Sequence, residues 1–127
     1  IIGTYLEESM YAIDSVHSFL STDEDYPTKY ILAILNSKVI DYVYHLLISE
    51  TGKVFPQVKL TIVRKLPIPN ASESSKSKLI QLVDNILDNK KANPLADTSD
   101  KEREIDQLVY QLYGLSEEDI KIVEETY

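Results

Sequence analysis

The clearest pattern along the chain is one apolar stripe. Ile31, Ile34, Leu35, Val39, Tyr42, Val43, Leu46 and Leu47 recur at helical spacing, which predicts a helix from about Lys29 to Ile48. Leu32, Ile40, Tyr44 and Ile48 add apolar surface on its other faces, so this helix reads as the central core element. Gly52 ends it. Upstream, Ser21 to Pro27 is a polar turn, and Thr28 is a candidate N-cap. Residues 10–20, MYAIDSVHSFL, alternate without helical periodicity and predict one or two strands, and Ile1 to Tyr5 resemble the inside of a strand. Beyond Gly52, the β-rich run Val54, Phe55, Val58, Leu60, Ile62 and Val63 predicts a short strand or strand pair, with Pro56 at its edge. Leu66-Pro67-Ile68-Pro69 predicts an extended connector, because neither proline has an amide to donate.

The last third reads as helical. Asn70 to Ser77 is a Ser-rich linker with N-cap candidates of its own. Leu79, Ile80, Leu82, Val83, Ile86 and Leu87 form a stripe that ends near Lys90-Lys91, where positive charge suits a helix C-terminus. Ile105, Leu108, Val109 and Leu112 form another. Gly114 sits where a left-handed residue closes a helix, with Leu115 as its hydrophobic partner. Ser116 to Asp119 then resembles a capping box, with Asp in place of Glu. These elements predict an α+β fold in which a small, partly antiparallel sheet packs on the 29–48 helix, followed by a helical C-terminal tail. Residues 1–69 would form the α+β part and residues 70–127 the tail.

Composition changes this picture in two respects. The 127 residues include no cysteine, which excludes disulfides and thiolate metal sites and suits a reducing, cytoplasmic setting. The net charge of −8 argues at first against nucleic acid, but it is unevenly distributed. Residues 1–28 hold six acids and no Lys or Arg. Residues 29–91 hold ten Lys/Arg and five acids, and residues 92–127 hold ten acids and three bases. A basic middle between acidic ends suits a phosphate-facing patch; an uneven solvated surface would look the same. No apolar run is long enough to span a membrane. The first residue is Ile, not Met, and the chain reads as a piece of something longer.

Catalytic patterns are missing from the sequence. Glycines at 3, 52 and 114 are too far apart for a phosphate loop, and no methyltransferase cofactor loop or catalytic polar-Pro-Pro-aromatic strand end occurs. His17 and His45 have no partner at ligand spacing. Asp119-Ile120-Lys121 fits half of a nuclease motif, but it follows a helix cap, whereas the motif works from a strand. Nine Tyr and no Trp is an unusual ratio. Tyr30, Tyr42 and Tyr44 lie on the buried helix and Tyr110 and Tyr113 flank a helical stripe, so all five are expected at core edges with their hydroxyls in water.

Three blocks carry a family resemblance. Residues 31–40, ILAILNSKVI, resemble the leucine-leucine-asparagine-serine helix of restriction-modification specificity domains. Gly52 to Lys59 followed by Leu66-Pro67-Ile68-Pro69 resembles the glycine, glutamine and Leu-Pro-Ile-Pro pattern that comes next. Ile105 to Leu115 is similar to the closing signature. Together they resemble the TaqI-like C-terminal specificity domain of type II restriction enzymes and DNA adenine methyltransferases, over about residues 10–125. Type I specificity subunits share the first two blocks more loosely. The resemblance implies a target-recognition module that reads duplex DNA and places it for the methyltransferase domain of the same polypeptide. The target adenine must leave the stack to react. No cofactor is expected in this segment; S-adenosylmethionine would bind elsewhere in the parent. The variable, base-reading half of such modules usually lies upstream of Met10.

Lys53, Lys59, Arg64 and Lys65 are the candidate phosphate contacts, and Gln57 is a candidate for a base edge or a phosphate. The same lysines would equally suit a solvated strand edge, where charge discourages edge-to-edge pairing. No catalytic or metal-binding residue is expected. The alternative function is protein docking or homodimerisation through the acidic tail, which cannot easily face phosphate.

Overall fold

The computed structural model describes residues 1–8, 17–52 and 58–126. Its elements are α1 (Thr28–Leu35), α2 (Lys38–Glu50), α3 (Leu60–Val63), α4 (Glu73–Ala92), α5 (Ser99–Leu112) and α6 (Glu117–Thr126). Helix takes 61% of the described residues and strand none, so the expected α+β fold with its small sheet is corrected to an all-helical one. Residues 1–6 and 17–20 have no regular structure, and the remainder of the strands expected over 10–20 and from residue 53 lies outside the described residues. Near the chain start, the backbone of Gly3 finds its partner in a side chain. Its N–H donates to Asn36 Oδ1 at 2.7 Å, and its carbonyl accepts from Asn36 Nδ2 at 2.9 Å. A Cβ at Gly3 would stand 3.0 Å from Leu32 Cδ1, so a larger residue there requires that side chain to shift by a few tenths of an ångström.

The expected 29–48 helix is two helices, with α2 leaving α1 at 66°. Asn36 and Ser37 make the corner. Ser37 is buried; its hydroxyl donates to the Ile34 carbonyl at 2.6 Å and caps α2 by accepting from Ile40 N–H. Short polar side chains compete with the backbone in this way, and an apolar stripe alone does not reveal it. Thr28 is not the cap of α1. Pro27 holds that position without a side-chain bond, and Thr28 Oγ1 accepts from Ser21 N–H instead. The turn before it forms as expected, with Tyr26 N–H donating to the Asp23 carbonyl at 3.0 Å.

The C-terminal third follows its local signals closely. Ser72 caps α4, which takes up residues 73–77 of the expected linker. Gly114 has φ +65°. Its N–H reaches Gln111 O and that of Leu115 reaches Tyr110 O, both at 3.1 Å, which completes a Schellman motif. Ser116 and Asp119 exchange reciprocal capping bonds of 3.1 and 3.2 Å. One core runs through all of these elements. Tyr30 and Ile34 of α1, Ile40 of α2, Leu79 of α4, and Val109 and Tyr110 of α5 are fully buried together. The corner at 36–37 turns α1 toward α4 and α2 toward α5 and α6.

Asp106 of α5 reaches across to the start of α2, where Oδ1 accepts the Lys38 N–H at 2.9 Å. Burial, aided by nearby Glu124 and Glu102, raises its carboxyl above the ordinary 3.8 despite that bond. The folded state therefore takes up the proton at a higher pH than the unfolded chain. The charge costs stability near neutrality, and acidification through the folded value relieves that cost. Asp106→Asn keeps the acceptor and removes the charge. It is expected to match or exceed wild-type stability at about pH 7, with the difference shrinking toward about pH 4. Asp106→Ala loses the acceptor and is expected to cost about 1 kcal/mol. Urea midpoints at the two pH values test both; a less stable Asn variant at neutral pH would show that the charge is favourable.

Candidate nucleic-acid interface

The basic middle of the chain contracts when its partners are traced. Lys29 pairs with Asp84 at 2.6 Å, and its ammonium lies over the Tyr5 ring. Lys76 is buried and meets Glu73 at 3.3 Å; Lys78 meets Glu104 at 3.3 Å. Lys90 donates to the Ala96 carbonyl at 2.6 Å. Lys29 and Lys78 link helices, Lys76 pairs within the first turn of α4, and Lys90 closes a helix end. Residues 53–65 differ: they carry four cations and no acid. Arg64 and Lys65 are exposed and meet no carboxylate among the described residues.

The local structure explains how those two residues are presented. The strand expected over 58–64 is a single helical turn, α3, preceded by Lys59 and followed by Arg64. Ile62 and Leu66 are buried, and Val58 packs on the same core. These three are four residues apart, which is a helical spacing, and that spacing overrides the β-propensity of the intervening Ile and Val. Thr61, Arg64 and Lys65 are left on the solvent side. Lys59 is half-buried, and its backbone N–H donates to Tyr44 Oη at 3.0 Å. Lys53 and Gln57 lie outside the described residues.

A family model for the TaqI-like C-terminal specificity domain matches residues 1–68, more than half of the chain. The chain belongs to this family. Such specificity domains are non-catalytic modules of restriction-modification enzymes, and membership implies binding of a DNA target. No curated protein and no solved structure matches the chain. The match covers the α1–α2 corner, the basic turn and the Leu66-Pro67-Ile68 stretch, while the resemblance of residues 105–115 to a closing signature falls beyond it. In this specificity domain, the asparagine and serine of the Leu-Asn-Ser block are the corner residues that hold Gly3 and cap α2.

Three tyrosines of the specificity domain act differently from expectation. The hydroxyls of Tyr30, Tyr44 and Tyr113 do not simply face water. All three meet the backbone of residues 59–69: Tyr44 at Lys59 N, Tyr113 at Pro67 O and Tyr30 at Pro69 O. Burial raises the phenols of Tyr30 and Tyr113 above their ordinary value, so both stay protonated as donors. Helical periodicity placed these rings at the core but carried no information about where their hydroxyls end.

The remaining candidates take ordinary roles. His45 Nδ1 lies 2.7 Å from the Asp41 carbonyl oxygen, and His17 Nε2 lies 3.0 Å from that of Val58. Among the described residues, no three His, Asp or Glu side chains come together as a metal site. Asp119 belongs to the capping box of α6, so the Asp119-Ile120-Lys121 triplet opens a helix. Among the described residues, no single helix is long and apolar enough to cross a membrane. An apolar groove of about 290 Å³ runs between α2 and α6, lined by Val39, Tyr42, Val43, Leu115 and Ile122, with Asp119 at its edge.

Proposed function

We propose that this specificity domain holds duplex DNA for a parent adenine-specific methyltransferase or endonuclease through phosphate contacts from residues 53–65. The observation that supports this most directly is that Arg64 and Lys65 are exposed on an acid-free segment and meet no carboxylate among the described residues, whereas Lys29, Lys76 and Lys78 each pair with one. Lys53 and Lys59 add charge to the same stretch, and Gln57 is the one candidate there for reading a base edge. S-adenosylmethionine would be bound by the methyltransferase domain of the parent, in the cytoplasm. The acidic ends repel phosphate, but salt screens that repulsion to within about 8 Å, so the segment acts locally where the parent already holds the duplex.

A salt titration of DNA binding by the parent enzyme tests this. Ala at Lys53, Lys59, Arg64 or Lys65 is expected to lower the salt slope by about one unit per true phosphate contact, alike on cognate and random duplex. Gln57→Ala is expected to cost about 1–3 kcal/mol on cognate DNA and little on random DNA if it reads a base. Wild-type slope and affinity in all five variants would make the segment scaffold. The second reading would then stand: protein docking or homodimerisation through the tail. The α2–α6 groove supports it, since Ile122 is half-exposed there and α6 opens on Glu117, Glu118 and Asp119.

A further inference from the structure

The three hydroxyls that meet residues 59–69 come from three separate helices and bracket the basic turn. Tyr44 of α2 accepts the Lys59 N–H before it. Tyr113, at the end of α5, and Tyr30 of α1 donate to the Pro67 and Pro69 carbonyls after it. We infer that Tyr44, Tyr113 and Tyr30 are positioning residues that fix the backbone on both sides of Arg64 and Lys65 before DNA arrives. The inference rests on the reading of that turn as a phosphate contact.

The need for such bonds is physical. α3 is one turn long, too short to hold itself, since a helix nucleus is unfavourable until it is extended. The connector that follows contains two prolines, which donate no backbone hydrogen bonds and cannot join a helix interior. Ile62 and Leu66 fix how deep the turn sits, but apolar contact is not directional; hydrogen bonds are. Tyr113 also gives the acidic C-terminal segment a part in DNA binding that its charge would otherwise forbid: it touches the backbone of the turn and not the phosphates.

Loosening the bracket should leave the number of phosphate contacts unchanged and add an ordering cost on binding. Tyr113→Phe and Tyr30→Phe in the parent enzyme are therefore expected to weaken duplex binding by roughly three- to tenfold each. The salt slope should stay at its wild-type value, whereas Arg64→Ala and Lys65→Ala lower it. The Phe effect should shrink in a background already lacking Arg64 and Lys65, because the tyrosines act through that turn. The carbonyl carbon shifts of Pro67 and Pro69 should move in the matching variants. Binding is measured well below each variant's melting midpoint, so that lost stability is not read as lost affinity. Tyr113 is only half-buried at a helix end and keeps the test readable if Tyr30→Phe folds poorly. Phe variants that bind like wild type while Arg64→Ala lowers the slope would reduce the tyrosines to core residues. Equal Phe effects in both backgrounds would also overturn the inference. If Arg64→Ala and Lys65→Ala retain both slope and affinity, the DNA reading of the turn fails first, and the positioning role fails with it.

Discussion

Leu79→Ala is expected to destabilise the entire chain by about 2–5 kcal/mol, the range for a large-to-small change at a fully buried leucine. Leu79 belongs to α4, beyond the family-matched residues, yet it is fully buried in the same core as Tyr30 and Ile34 of α1. The Lys29–Asp84 pair joins the same two helices. Removing the leucine methyls should therefore melt the N-terminal helices together with the tail. Chemical denaturation followed by far-UV circular dichroism and by tyrosine fluorescence should give superimposable transitions with a lowered midpoint. Two separated transitions, with the N-terminal helices unaffected, would mean that the tail folds by itself. The same core argues that residues 1–68 expressed without the tail would expose Tyr30 and Ile34 and lose their structure.

Gly114→Val is expected to cost about 1–3 kcal/mol, because φ is positive there and a β-branched residue is poorly tolerated in that region. A Cβ at Gly114 would meet nothing within 4 Å, so the cost is assigned to backbone strain. Gly114→Asn separates the two effects: it adds bulk, but asparagine visits the left-handed region readily, so its cost should be much smaller. Urea denaturation of the three proteins decides the matter. A Val variant with the wild-type midpoint and slope would show that the Schellman bonds are dispensable and that Gly114 is only a flexible joint.

Gly114 belongs to the features legible in the sequence because its signal is local. The same holds for the Ser116–Asp119 capping box, the stripes of α4 and α5 and the 23–26 turn. Each is decided by residues within one or two turns of each other, where side-chain chemistry and backbone geometry act directly. The family resemblance was legible on the same terms, through the short blocks at 31–40 and 52–69.

Residues 58–66 show where local reading stops. Their β-branched content favours a strand, and only the burial of Ile62 and Leu66 against α2 and its neighbours selects a helical turn. The 36–37 corner is similar: the stripe runs straight through it, and the break depends on Ser37 finding the Ile34 carbonyl and Asn36 finding Gly3. Composition sets the number of cations in the middle of the chain. Which of them meet a carboxylate depends on partners 3 to 55 residues away: Glu73 for Lys76, Glu104 for Lys78 and Asp84 for Lys29. The turn between α5 and α6, the apolar faces and the uneven charge were thus readable from the chain alone, because short-range geometry and composition set them. Packing settled that residues 60–63 are helical, that Arg64 and Lys65 meet no carboxylate among the described residues, and that three tyrosine hydroxyls reach the backbone around them, because each depends on groups distant in the chain.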